Sequence, residues 1–150
     1  MQKILKQIEL KLKQEARQRP KALPNYFNSE LILDGYIPVP KQRLIFKQDF
    51  ENLDATFSQQ KKLWKYVWQN SNHFLVRNQS LFFLDNHKKN FKNSDWAYLK
   101  SFVTGIDNWA HADALANIYA VMHEKYPKKV RPDLKPVSYT HLTLPTKRIV

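Results

Sequence analysis

Asp107-Asn108-Trp109-Ala110-His111-Ala112-Asp113-Ala114-Leu115-Ala116 is the stretch from which the rest of the chain is read. It has the form of a helix start. Asp107 or Asn108 can accept hydrogen bonds from the free amides of a first turn, and the alternating alanines favour helix and let a neighbour approach closely. Trp109 and Asp113 stand four residues apart, so they share one face. His111 lies off that face and is expected to be exposed or to meet a partner. A carboxylate on a half-apolar, alanine-rich helix is costly to bury without a use, which makes Asp113 the first candidate for chemistry.

Working outward, Pro127 ends this helix near Lys125, and Gly105 stops the one before it. That preceding helix is expected over 95–103, capped by Ser94, with Trp96, Leu99, Phe102 and Val103 inward. Residues 74–86 are apolar on most faces and read as a central helix. Residues 57–70 carry Leu63, Trp64, Val67 and Trp68 at helical spacing, with lysines opposite. A short helix over 41–50, opened by Pro40, turns Leu44, Ile45 and Phe46 inward. Residues 3–18 form a lysine-rich amphipathic helix ended by Pro20 and Pro24, and Asp34-Gly35 signals a turn. No convincing strand appears. Six helices on short loops give an all-α chain, an antiparallel array of helical hairpins of the HEAT kind; a compact orthogonal bundle is the alternative.

The totals agree. Two glycines in 150 residues do not suit a turn-rich β fold. The absence of cysteine removes disulfides and thiolate metal sites and fits a reducing, cytoplasmic setting. A net charge of +12 suits a polyanionic partner, nucleic acid before membrane surface. No apolar run is long enough to span a bilayer. The character changes at Val137: residues 137–150 contain no acid and no helical period, and Ser138 to Thr146 reads like adapter or vector read-through. The organisation expected is therefore a domain over 1–136, the N-terminal part of a longer one, followed by a non-native tail.

Phosphate-binding glycine loops and the HExxH metal motif are absent, and the five histidines are scattered, so neither a metal nor another cofactor is implied. Three basic clusters can neutralise phosphates: Lys61, Lys62 and Lys65; Lys88, Lys89 and Lys92; Lys128, Lys129, Arg131 and Lys135. Any one of them is more often a solvated face; with the total excess of charge, at least one is expected to touch a phosphate backbone.

With these residues in view, the chain resembles the DNA alkylation repair enzymes, DNA glycosylases built from HEAT-like repeats. Tyr26-Phe27, then Gly35, Pro38-Val39-Pro40 and Arg43, are similar to the family's N-terminal segment. Leu63 to Trp68 followed by Arg77-Asn78-Gln79-Ser80-Leu81 resembles its central helix pair. Asp107-Asn108-Trp109 with Asp113-Ala114-Leu115 resembles its signature, a tryptophan four residues before an essential aspartate.

The resemblance implies base excision of alkylated purines of the 3-methyl or 7-methyl type from double-stranded DNA by a monomer. Asp113 would be the catalytic carboxylate, Trp109 a wall beside the damaged nucleotide, and Tyr26 a second aromatic near it. Read from the residues alone, Asp113 can also be a helix-face acid paired with a lysine, Trp109 core packing, and Tyr26 a loop anchor. The family's arginine on a later helix has no counterpart: Arg148 stands in surroundings that match nothing in the family, so a copy ending this way can be inactive. The rival function is a non-catalytic helical-repeat module that binds nucleic acid or protein.

Overall fold

A computed structural model describes residues 1–18, 29–33, 35–53 and 56–140, with side chains through 134. Pro20, Pro24, Tyr26, Asp34 and the tail from 141 onward lie outside the described residues. Seven α-helices make up the described chain, and no strand joins them: α1 Gln2–Glu15, α2 Val39–Ile45, α3 Phe57–Asn70, α4 Phe74–His87, α5 Trp96–Lys100, α6 Trp109–Lys125 and α7 Pro127–Thr140. The protein is all-α, as its periodicity predicts. Among the described residues no helix is long and apolar enough to cross a membrane.

Two compact units divide it. The first takes α1, α2, α3 and α4 as far as Phe83; the second begins at Leu84 and includes Ser29. In the first unit, α3 starts on a full capping box: Gln59 N–H donates to Thr56 Oγ1 at 3.1 Å, and Thr56 N–H donates to Gln59 Oε1 at 3.2 Å. Leu63, Trp64, Val67 and Trp68 form its buried stripe, as expected. Phe57 meets Phe83, Ser80 Oγ donates to the Trp64 carbonyl at 2.8 Å, and the Arg77 guanidinium lies 5.2 Å from the centre of the Trp68 ring. These three pairs run in opposite chain order, so α3 and α4 form an antiparallel hairpin. Phe46 closes the cluster, 5.3 Å from Trp64 and 6.2 Å from Phe82 between ring centroids.

The second short helix differs from its expected form. It spans two turns and passes into a π-helical turn, Phe46–Phe50. Ile45 and Phe46 are buried, but Leu44 is half exposed and Gln42 takes the inward place. Gln42 Nε2 donates to the Ile37 carbonyl at 2.7 Å, and Asn78 Nδ2 donates to Gln42 Oε1 at 2.9 Å. A buried amide with both ends satisfied costs little and fixes the chain entering α2.

α1 stops at Glu15, short of the expected 18, because the chain turns extended at Ala16 and Arg17 pairs with Tyr36 through backbone bonds of 2.9 and 2.8 Å. Gly35 owes its identity to this pairing. A Cβ there would meet the Ala16 Cβ at 2.6 Å, a contact with no flexible atom to yield. Gly35→Ala is expected to lower stability by about 1–3 kcal/mol, the range for overpacking, read as a shifted urea midpoint with unchanged slope.

In the second unit, the expected helix 95–103 is broken into a 3₁₀ turn, a five-residue α5 and another 3₁₀ turn. Ser94 does not cap it; the run opens after Lys92, whose N–H donates to Asp95 Oδ2 at 2.8 Å. Gly105, at φ 103°, ends it as predicted. Trp96 packs edge-on against Tyr119 of α6 at 4.9 Å, and the Tyr119 hydroxyl donates to the Leu99 carbonyl at 2.7 Å. Burial pushes the Tyr119 phenol well above its ordinary pKa, so it stays a donor. α7 is an element the sequence reading lacked, and its backbone continues helical to Thr140, past the change of character at Val137.

Candidate functional site

Asn108 places α6. Its Oδ1 accepts from the His111 backbone N–H at 2.9 Å, closing the N-terminus. Its Nδ2 donates to Asp107 Oδ1 at 3.1 Å and to His111 Nδ1, also at 3.1 Å, which leaves the imidazole proton on Nε2. Asp107 Oδ1 also accepts from Ser29 Oγ at 2.7 Å. The helix start is thus held by one amide using all its polar atoms. Asn108→Ala is expected to cost about 1–2 kcal/mol, the upper part of the range for a lost cap, seen as a lower melting temperature.

The buried residues of α6 and its cap are Asn108, His111, Ala112, Leu115, Ala116, Ile118, Tyr119 and Met122, spaced at helical intervals of three and four. His111 is fully buried, which corrects the expectation that it faces outward. The reason is angular: two residues on from Trp109 means about 200° around the axis, and it is Trp109 that faces solvent. Trp109 is 48% exposed, which removes the core-packing reading for its indole. Asp113, one turn later and about 40° away around the axis, is half-buried beside it. Tyr26 lies outside the described residues.

The basic clusters fall in different units. Lys61, Lys62 and Lys65 stand on α3, with the Lys61 ammonium 5.7 Å from the Phe57 ring centre. Lys88 pairs with Asp85 at 2.9 Å. Lys89, Lys128, Lys129 and Arg131 are exposed. Lys125, which the sequence reading passed over, gathers the second unit's lysines: its Nζ donates to the carbonyls of Lys89 at 2.9 Å and Phe91 at 2.7 Å. This draws the loop after α4 to the C-terminal end of α6, where Lys128, Lys129 and Arg131 begin α7. Asp113 and Lys125 are twelve residues apart on one helix, about 18 Å along its axis. The Trp109 and Asp113 face and a cluster of basic side chains therefore stand toward opposite ends of α6. Cations at a helix C-terminus also complement its dipole, so this end is stabilised whether or not DNA touches it.

Asp133 of α7 was likewise not legible. Its Oδ2 accepts from Trp96 Nε1 at 2.8 Å and stands 3.4 Å from Lys100 Nζ. The indole hydrogen bond, then the ammonium, hold its carboxyl below the ordinary carboxylate range. It secures α7 to α5 and is a structural acid. Among the described residues, no group of three or more His, Asp or Glu side chains is placed to hold a metal ion.

No curated protein and no solved structure matches the chain. The family model described as DNA alkylation repair enzyme matches residues 8–135, which include α2 to α6 entire and the Trp109 and Asp113 face. The chain belongs to the DNA alkylation repair enzyme family.

Proposed function

We propose that the protein is a DNA glycosylase that releases alkylated purines, of the 3-methyl or 7-methyl type, from double-stranded DNA. The observation that carries this reading is the outward-facing Trp109 one turn before Asp113, on a helix start held by Asn108. Such a purine is cationic, and an exposed indole face attracts a cation. Breaking its glycosidic bond shifts positive charge onto the sugar. A carboxylate fixed beside the indole stabilises that charge as it develops and orients the attacking water. The departing base is already activated by its own charge, so no strong acid is needed. Tyr26 is proposed as a second aromatic near the lesion. Lys88, Lys89, Lys128, Lys129 and Arg131 contact phosphates on the α6 C-terminal side, with Lys61, Lys62 and Lys65 a separate phosphate-binding row. The hairpin of α3 and α4 serves as one HEAT-like repeat in this reading.

The test is base release from methylated duplex, resolved by chromatography. Modified purine released in proportion to protein, with none from untreated duplex, supports the proposal. Salt-sensitive binding that ignores methylation, with no base released, overturns it and leaves a nucleic-acid-binding module.

A further inference from the structure

α1 sorts its charges onto two sides. On one side they are paired: Lys11 is 3.3 Å from Glu15 and 3.8 Å from Asp49, and Lys41 of α2 reaches Glu15 at 3.2 Å. The two ammonium groups hold the Glu15 carboxyl below its ordinary pKa. On the other side, Lys6, Leu10 and Lys13 follow at i, i+4, i+7 with one acid, Glu9, among them, and Arg17 stands beyond the helix end, where the chain is extended. None of these three cations has an ion pair among the described residues.

This stripe borders a groove of about 580 Å³ in the first unit, with Ile32, Leu33, Leu75 and Val76 along its other wall. Leu10 is 57% exposed and Ile32 44% exposed, so apolar surface stands open between the cations. Both walls are set in advance. Ile32 exchanges backbone bonds with Asn72 and Phe74, of 2.8 and 3.0 Å, and Arg17 exchanges them with Tyr36. An open apolar strip on fixed backbone, flanked by cations that have no ion pair among the described residues, is incomplete as a free surface.

We propose that this groove docks an acidic amphipathic helix from a partner protein. Its apolar stripe lies on Leu10 and Ile32, and its carboxylates meet Lys6, Lys13 and Arg17. The spacing selects this occupant. Lys6 and Lys13 stand seven residues and about 10 Å apart along α1, the repeat at which acids recur on one face of a second helix, and Arg17 lies just past its end. A small amphiphile with one charge satisfies one of them. A phosphodiester strand satisfies the charges and leaves the apolar strip wet. Helix-in-groove recognition uses both.

The test uses the intact chain and a fluorescein-labelled 18-residue helical peptide of Leu, Ala and Glu, with acids at i, i+4, i+7 beside a leucine stripe. Anisotropy is expected to show binding that weakens with salt and falls at least tenfold in Leu10→Asp and in Lys13→Glu. Both side chains lie on the outer surface of α1, and an unchanged melting temperature verifies the fold. Base release from methylated duplex stays unchanged in Leu10→Asp, so this proposal and the glycosylase reading fail separately. Absence of binding, equal binding of the lysine-for-glutamate peptide, or equal binding by Leu10→Asp overturns the proposal. So does displacement of the acidic peptide by an unmodified 20-base-pair duplex or by phosphatidylserine vesicles in a manner that depends on Lys13.

Discussion

Asp113→Asn is expected to reduce release of methylated purine by at least ~10²-fold while leaving duplex binding within about twofold, since the substitution removes a charge the transition state needs and no phosphate contact. Asparagine keeps the size and one oxygen acceptor of the side chain. At this half-buried position the stability cost is less than about 1 kcal/mol, so loss of activity cannot be charged to unfolding. Trp109→Ala acts differently. It removes the surface that faces a cationic base, so the expected loss falls on discrimination between methylated and unmethylated duplex as well as on rate. A variant pair in which Asp113→Asn releases base at the parental rate removes the carboxylate from the mechanism outright. The clean comparison is single-turnover release at saturating enzyme, where binding differences drop out.

What could be read in advance follows the length and regularity of each element. α3, α4 and α6 are long, and the stripes of Leu63, Trp64, Val67 and Trp68 repeat often enough to fix both helix and face. In α2, seven residues make two turns, and two turns do not determine which side is inward. Leu44 was placed inside on hydrophobicity, yet Gln42 occupies the interior because Ile37 and Asn78 satisfy its amide. α7 was hidden by its prolines. Pro127 reads as a terminator of α6, but as the first residue of α7 it loses no hydrogen bond, and Pro132 and Pro136 disguise the continuation. On α6 the Trp109 and Asp113 pairing on one face was legible, and its direction was not. From the sequence alone that face can be a substrate wall or core packing; the burial of His111 with Leu115 and Tyr119 turns it to solvent. Contacts such as Trp96 with Asp133 or Lys125 with Phe91, more than thirty residues apart, leave no local trace.

Trp64→Ala is expected to be the most destabilising single change in the first unit. The side chain is fully buried, stacked at 6.3 Å on Phe83 and tilted at 5.3 Å on Phe46, so truncation removes the piece that joins α3, α4 and the π turn. Large-to-alanine changes at such sites cost about 3–5 kcal/mol, and in a chain of this length that is a fall of about 10 °C or more in melting temperature. The companion variant separates packing from polarity. Trp64 Nε1 is buried with no hydrogen-bond partner among the described residues, an uncompensated donor of the kind that costs about 1–3 kcal/mol. Trp64→Phe keeps an aromatic ring against Phe46 and Phe83 and removes that donor. Its loss of volume is therefore offset in part, and its expected destabilisation is less than half that of Trp64→Ala. At Trp96 the indole N–H has a partner, since its Nε1 donates to the Asp133 carboxylate at 2.8 Å. There Trp96→Phe strands a partly shielded acid beside Lys100 and frees α7, so it costs more than Trp64→Phe although both remove one indole nitrogen. Urea unfolding of the three variants tests this order. Equal losses for the two phenylalanine substitutions would show that the indole N–H contributes nothing at either place.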